Sequence, residues 1–286
     1  MVARVRAIRV MVGEVDVSED DDVRREFGAE LVSARELHGD RAMTQTDLAR
    51  IIKTSRSTIS RIESGTGTIP REIPELLDEV FATEGRFKAL HEAIVAKGYP
   101  AHSRRRLALE PKAQAILEWS PTVVPGLLQT ASYAHALLRV GLPRASESEI
   151  RHKVQQRIGR QDLLRRPSPP DMSVVVCESV LRRRFGGADT MRGQPSALLE
   201  FADRPTALLQ VLPLEAGAHG LVDGPLSILA VQEAGMIAYT EGVQSGSIIE
   251  EPSQVRQLVR HYDVLRATAL SPDESNRLIS KLLEAL

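Results

Sequence analysis

The stretch that decides the fold is Thr44-Gln-Thr-Asp-Leu-Ala-Arg-Ile-Ile-Lys-Thr-Ser-Arg-Ser-Thr-Ile-Ser-Arg-Ile-Glu-Ser-Gly65. It reads as two short helices with a tight turn between them. The Thr44 hydroxyl can accept an orphan amide at the start of the first helix, and Asp47, three residues on, gives a weaker form of the capping box. Leu48, Ile51 and Ile52 are expected on one face, with small Ala49 beside them to admit a neighbouring helix. Ser55 caps the second helix and Ser64-Gly65 ends it. Ile59 and Ile62 then point inward, which leaves Arg56, Ser57, Ser60 and Arg61 on the outer face. The major groove of duplex DNA admits one α-helix, and an Arg near the start of that helix can hold guanine bidentately while Ser bonds several base edges. The competing account is a helical hairpin whose polar face is merely solvated.

On these residues the stretch resembles the helix-turn-helix of the Cro/CI repressor (XRE) family, whose second helix enters the major groove. The resemblance implies base or groove contacts from Ser55, Arg56, Ser57 and Arg61, and exposed Ser60 joins them as a candidate base contact. It also implies backbone contacts from Thr44 and Gln45 and a pair between Arg35 and Glu63 bridging the first and third helices, while the charges of Arg50 and Lys53 make them further candidate phosphate contacts. Lys53 departs from the family, which usually has Gly in the turn. A left-handed backbone there costs a non-glycine residue roughly 1 kcal/mol or more.

Working outward, 286 residues predict two domains. Hydrophobic residues make up 42% and charged residues 26%, a soluble globular composition with no apolar run of membrane-spanning length. Arg4, Arg6 and Arg9 interrupt the apolar start, so no signal-peptide core is expected and the cytoplasm is the expected location. The net charge of −1 gives no global support for nucleic-acid binding. The local balance is more informative: Arg41, Arg50, Lys53, Arg56 and Arg61 fall in or beside the two helices, while the stretch after Pro70 is acidic. Scattered histidines and one cysteine, Cys177 in the apolar run Ser173–Cys177, exclude a metal cluster of familiar spacing and leave a packed core thiol.

Residues 1–24 carry the acidic run Glu19-Asp-Asp-Asp22 and read as a disordered tail. A first helix is expected from Val23 to Leu37, with Phe27, Leu31, Ala34 and Leu37 on one face. The helix pair follows, then a helix after Pro70 and a fifth over Glu84–Lys97, stopped by Gly98-Tyr99-Pro100. This predicts a five-helix, all-α DNA-binding domain over 25–98. Residues 99–110, with Arg104-Arg-Arg106, read as a solvated linker in preference to a phosphate contact.

From residue 111 to 286 an α+β domain is expected, with a mixed sheet of about four strands. Those strands are Met172–Cys177, Ala207–Leu212, Leu226–Val231 and Met236–Thr240. Helices are expected over Thr130–Leu138, Glu147–Arg166, Glu178–Phe185, Thr190–Ala202 and Pro252–Leu265, and a last one opens at Ser271-Pro-Asp-Glu274 with a capping box. Val124-Pro-Gly-Leu-Leu-Gln-Thr130, Arg160–Arg165, Val211-Leu-Pro213 and Tyr239–Gly242 resemble the uncharacterised C-terminal domain that follows a helix-turn-helix in many actinobacterial, antitoxin-like regulators. That resemblance implies a regulator often encoded beside a small partner protein.

Glu178, His219, Tyr239 and Glu241 are the candidate residues for a C-terminal pocket, since loops at strand ends often carry sites. No nucleophile elbow, phosphate loop or metal pair accompanies them, so neither an enzyme nor a cofactor is expected. The partner expected from the sequence is double-stranded DNA, bound by a homodimer. The C-terminal domain is expected to respond to a small-molecule effector or a small protein partner, and no membrane is involved. The alternative is an adaptor that sequesters a small protein and does not act through DNA.

Overall fold

The structure is a computed structural model that describes residues 17–39, 42–66, 69–70, 72–97, 101–243 and 245–285. The chain divides into two compact units, Met1–Gly98 and Tyr99–Leu286.

The first unit is helical: α1 (Val17–Glu36), α2 (Gln45–Ile51), α3 (Arg56–Glu63), α4 (Ile73–Phe81) and α5 (Arg86–Lys97). Its core gathers Phe27 and Leu31 of α1, Leu48 of α2, Ile59 and Ile62 of α3, Leu77 of α4, and Phe87 and Ile94 of α5. Phe27 and Phe87 meet edge to face at 5.4 Å, a favoured aromatic geometry. Gly28 lets α1 approach the last turn of α3: a Cβ there would lie 2.8 Å from the Ile62 carbonyl oxygen and overlap that of Glu63. Three expectations need correction. Helix α1 begins at Val17, not Val23, so residues 17–24 are helical where a tail was expected. Leu37 lies past the helix end and is exposed, and Ile51 is half exposed on α2. The expected stop at 98–100, Arg41 and the tail up to residue 16 lie outside the described residues.

The second unit opens with α6 (Ala101–Leu109), so the expected linker at 99–110 is largely helix. Its Arg106 is buried by ion pairs with Glu110 and Glu118. Among the described residues six α-helices therefore precede the first strand, where five were expected. The sheet has six strands, not four: β1 (Ala113–Ser120), β2 (Asp171–Cys177), β3 (Ala207–Leu212), β4 (Leu226–Val231), β5 (Gly235–Glu241) and β6 (Gly246–Ile249). Their order is β3-β2-β1-β4-β5-β6. β1, β2 and β3 run parallel, and β4, β5 and β6 add on antiparallel.

One sheet face carries Ile116, Val174, Leu209 and Leu229 into a core closed by Tyr133 of α7 (Ala131–Gly141), Val180 of α9 (Glu178–Arg182), Leu198 of α10 (Ala188–Ala202) and Ile279 of α12 (Pro272–Glu284). The other face carries Trp119, Val175 and Ile228 against Val255, Tyr262 and Leu265 of α11 (Pro252–Thr268). α8 spans Glu147–Gly159 and gives way to a 3-10 turn over Arg160–Arg165, so the expected continuous helix to Arg166 is shorter. The capping box at Ser271 and Glu274 forms. The outer edge of β3 is closed by the corner between α11 and α12: Val211 accepts from the Leu270 amide at 2.9 Å and donates to Ser275 Oγ at 2.9 Å. Such closure blunts unwanted strand pairing.

Candidate nucleic-acid interface

The Thr44 backbone is extended, and its hydroxyl accepts the Asp47 amide at 3.1 Å while the Asp47 carboxylate takes the Thr44 amide at 3.3 Å. The reciprocal capping box therefore closes with Asp in place of Glu. At the start of α3, Ser55 Oγ accepts the Thr58 amide at 3.1 Å and also meets the hydroxyls of Ser57 and Thr58, each at 2.8 Å. Between the helices Lys53 adopts φ 54°, the left-handed conformation expected where glycine is usual. Thr54 closes the turn by donating to the Ala49 carbonyl at 2.8 Å.

These supports fix α3 with Ile59 and Ile62 buried and with Arg56, Ser57, Ser60 and Arg61 exposed. Among the described residues Arg56 makes no hydrogen bond or ion pair. Arg61 reaches back to the Ser57 carbonyl only at 3.4 Å. Arg50 is exposed and pairs loosely with Asp47 at 3.4 Å. Arg56, Thr44 and Gln45 share one surface depression of about 520 Å3 with Arg35, Met43 and Thr46. The sequence reading does not single out Met43 and Thr46. Their only signal is their place in the loop and first turn of α2.

Gln45 is not a free side chain. Its Nε2 donates to Glu63 Oε2 at 2.7 Å, and Glu63 Oε1 accepts from Arg35 Nε at 2.8 Å. The bridge between Arg35 and Glu63 is shielded from water, with side chains 13% and 7% exposed. An ion pair so placed is screened less than a surface pair.

The four candidate pocket residues of the second unit do not converge. Glu178 follows β2 and Glu241 ends β5, with β1 and β4 between them. Three strand spacings amount to about 14 Å, well beyond hydrogen-bond reach. Glu178 is buried and bonds Arg182 Nε at 2.6 Å and the Leu214 amide at 3.1 Å. His219 stands edge-on to Trp119 at 5.1 Å and accepts the Leu221 amide on Nδ1 at 3.2 Å; burial pushes its pKa down. Burial, aided by the nearby Glu241, pushes the Tyr239 phenol up to about 12. Glu241 is exposed, 3.9 Å from His102.

The Val124–Thr130 landmark is held from within. Gln129 Nε2 donates to the Val124 carbonyl at 2.7 Å and its Oε1 accepts from Arg157 at 3.0 Å. Gln194 brackets the next peptide, donating to the Leu128 carbonyl at 2.8 Å and accepting the Thr130 amide at 2.8 Å. Below it, Glu110 accepts from Arg106 at 2.5 Å and from Arg160 at 2.8 and 2.7 Å. Burial would raise the Glu110 carboxyl, but the Arg160 and Arg106 guanidiniums outweigh it and hold it below the usual carboxylate range. Burial pushes Glu118 up, against the partial opposition of Arg106.

Among the described residues there is no group of three or more potential metal-ligating His, Cys, Asp or Glu side chains. No helix among them is long and apolar enough to cross a membrane.

Capped helices, a tight left-handed turn and an exposed polar second helix define an XRE-type helix-turn-helix, and a helix-turn-helix family model matches residues 34–81. The rest of the chain is matched over residues 103–281 by the family described as a Domain of unknown function (DUF5753), and the chain belongs to that family. No curated protein matches the chain, and no solved structure does. In general terms it is a DNA-binding regulator with an uncharacterised C-terminal domain.

Proposed function

We propose that the protein is a sequence-specific transcriptional regulator that lays α3 in the major groove of duplex DNA. The observation that carries this reading is the outer face of α3. Arg56, Ser57, Ser60 and Arg61 stand exposed on a helix whose opposite side is fully packed, and Arg56 makes no bond or ion pair among the described residues. Arg56, Ser57 and Arg61 choose sequence; Gln45, Arg50 and Lys53 set register on the phosphates. Two copies read two half-sites about one helical turn apart, which supplies the specificity one module lacks. The second unit adjusts DNA affinity when it binds a small organic effector or a small protein.

The test is selection of bound fragments from genomic DNA by the full chain, followed by Arg56→Ala. The substitution should cost roughly 1–3 kcal/mol on the selected site and much less on mixed sequence. An equal loss on both would make Arg56 a backbone contact. If the full chain retained no duplex even at low salt, the reading would fail.

A further inference from the structure

Glu63 closes α3, and its carboxylate joins two other helices. Arg35 on α1 gives it Nε at 2.8 Å, and Gln45, the first residue of α2, gives it Nε2 at 2.7 Å. Arg35 Nη1 also donates to the Met43 carbonyl at 2.6 Å, which secures the chain just before α2. The Arg35 charge offsets that of Glu63, and Glu36, 4.0 Å from Arg35, adds an exposed carboxylate to the same depression.

A glutamine amide has two unlike ends, a carbonyl that accepts and an NH2 that donates twice. On an open surface the group turns over freely, and half of its orientations would set a carbonyl oxygen against a phosphate oxygen. A carboxylate only accepts. Opposite Glu63, the Gln45 amide is therefore held with nitrogen inward. One N–H is used on Glu63 and a second is left for another acceptor, and Gln45 lines a depression with Thr44, Thr46, Arg56 and Glu36.

We propose that Glu63 is a positioning residue for phosphate recognition: it sets the polarity of the Gln45 amide, so that a donor is already in place when DNA arrives. This rests on α2 and α3 being the DNA-binding face. Its energetic logic is preorganisation, in which ordering that is complete before binding is not lost on binding.

The test uses the full chain with Gln45→Ala and Glu63→Gln, singly and combined. Each is titrated against a short mixed-sequence duplex at low salt, because a phosphate contact acts on any sequence. Gln45→Ala alone should weaken binding roughly tenfold, as for loss of a hydrogen bond to a charged group. In the Glu63→Gln background the same change should cost roughly threefold or less, a coupling expected of residues in one network. If Glu63 is only a structural brace, Glu63→Gln lowers the unfolding temperature and Gln45→Ala costs the same factor in both backgrounds, which overturns the proposal.

A second measurement needs no variant. In the side-chain amide spectrum of the intact protein, one Gln45 proton should be shifted and protected from exchange. Two fast-exchanging protons would overturn the inward-nitrogen geometry. Failure of the wild-type chain to bind any duplex would defeat the DNA reading instead, with the amide spectrum unchanged, so the two failures are distinguishable.

Discussion

The two units use polar side chains in opposite ways. Along α3, Arg56, Ser57, Ser60 and Arg61 face outward, and the contacts that do form there mostly cap or brace the helix itself. In the second unit Arg106, Glu110, Gln129 and Gln194 are all buried, and each is bonded to other parts of the chain. A polar group removed from water needs a partner inside the fold, whereas an exposed one is free to find its partner elsewhere. The motif residues of the first unit are thus suited to an external ligand. Those of the second unit around Val124–Thr130 are accounted for by the architecture, and their presence in the sequence says little about what the unit binds.

That contrast is most exposed to test at Glu110. Glu110→Ala would remove the buried carboxylate that Arg106 and Arg160 share, leaving Arg106 with Glu118 alone. Breaking a buried ion pair on one side costs about 3–5 kcal/mol, the largest effect expected for a single polar substitution here. Trp119, the one tryptophan of the chain, lies in this unit's core and reports its urea unfolding by fluorescence. A loss below about 1 kcal/mol would mean that the cluster is hydrated and that the contrast between the units is overstated.

In the first unit the corresponding weak point is steric. Gly28→Ala pushes a methyl group into the backbone carbonyls of Ile62 and Glu63, where no side chain can yield. Overpacking of this kind costs about 1–3 kcal/mol, occasionally more. Hydrogen exchange of the α3 amides would register it, with the unfolding of the Trp119 core unchanged. Unaltered protection in α3 would show that α1 and α3 can separate without penalty.

How far the sequence could foretell all this depended on range. The helix pair was readable because its signals are local: Thr44 and Ser55 three residues before the amides they cap, apolar residues at helical spacing, and Lys53 where a glycine is usual. Strands β3 and β4 were readable as apolar runs. By contrast β1 was missed because Gln114 and Glu118 interrupt its pattern, and the partner that makes Glu118 tolerable, Arg106, lies on another element. The same pairing hid α6, since Arg104-Arg-Arg106 looks like a solvated charge run until the carboxylates opposite it are known. The candidate pocket residues failed for a related reason. Each sits at or near a strand end, but strand order, which keeps Glu178 away from Glu241, is set by the whole sheet.

A smaller effect divides stability from binding at one residue. Lys53 holds φ 54°, a conformation that costs a side-chain-bearing residue about 1 kcal/mol. Lys53→Gly should stabilise the first unit by up to about that amount, part of it offset by the greater freedom of glycine in the unfolded chain. If Lys53 touches phosphate, the same change should weaken DNA binding and reduce the salt slope by about 1. Opposite signs for stability and affinity would mark a strained residue kept for its charge. A change in stability alone would leave Lys53 outside the interface.

The smallest effect is expected at Asp78, a carboxylate of the first unit that, like those of the second, is bonded to other parts of the chain. It lies on α4 and receives the Thr83 hydroxyl at 2.5 Å and the Phe87 and Lys88 amides at 2.9 and 3.0 Å, which caps α5. Partial burial would raise its pKa, but the Thr83 hydroxyl and the amides of Phe87, Lys88 and Gly85 outweigh that and hold it below 3.8. A carboxyl whose folded-state pKa is depressed contributes stability above its unfolded value, and that contribution fades as pH falls through the lower folded value. Asp78→Asn keeps an acceptor for the cap, so at neutral pH it should cost under about 1 kcal/mol. Its clearer signature is in acid: the stability of α5, followed by amide exchange, should fall less steeply in the variant than in the wild type as pH drops below the carboxylate range. Parallel acid profiles for the two proteins would show that the acid sensitivity of this unit does not arise at Asp78, and would make Asp78 as interchangeable as the exposed residues of α3 are within the isolated fold.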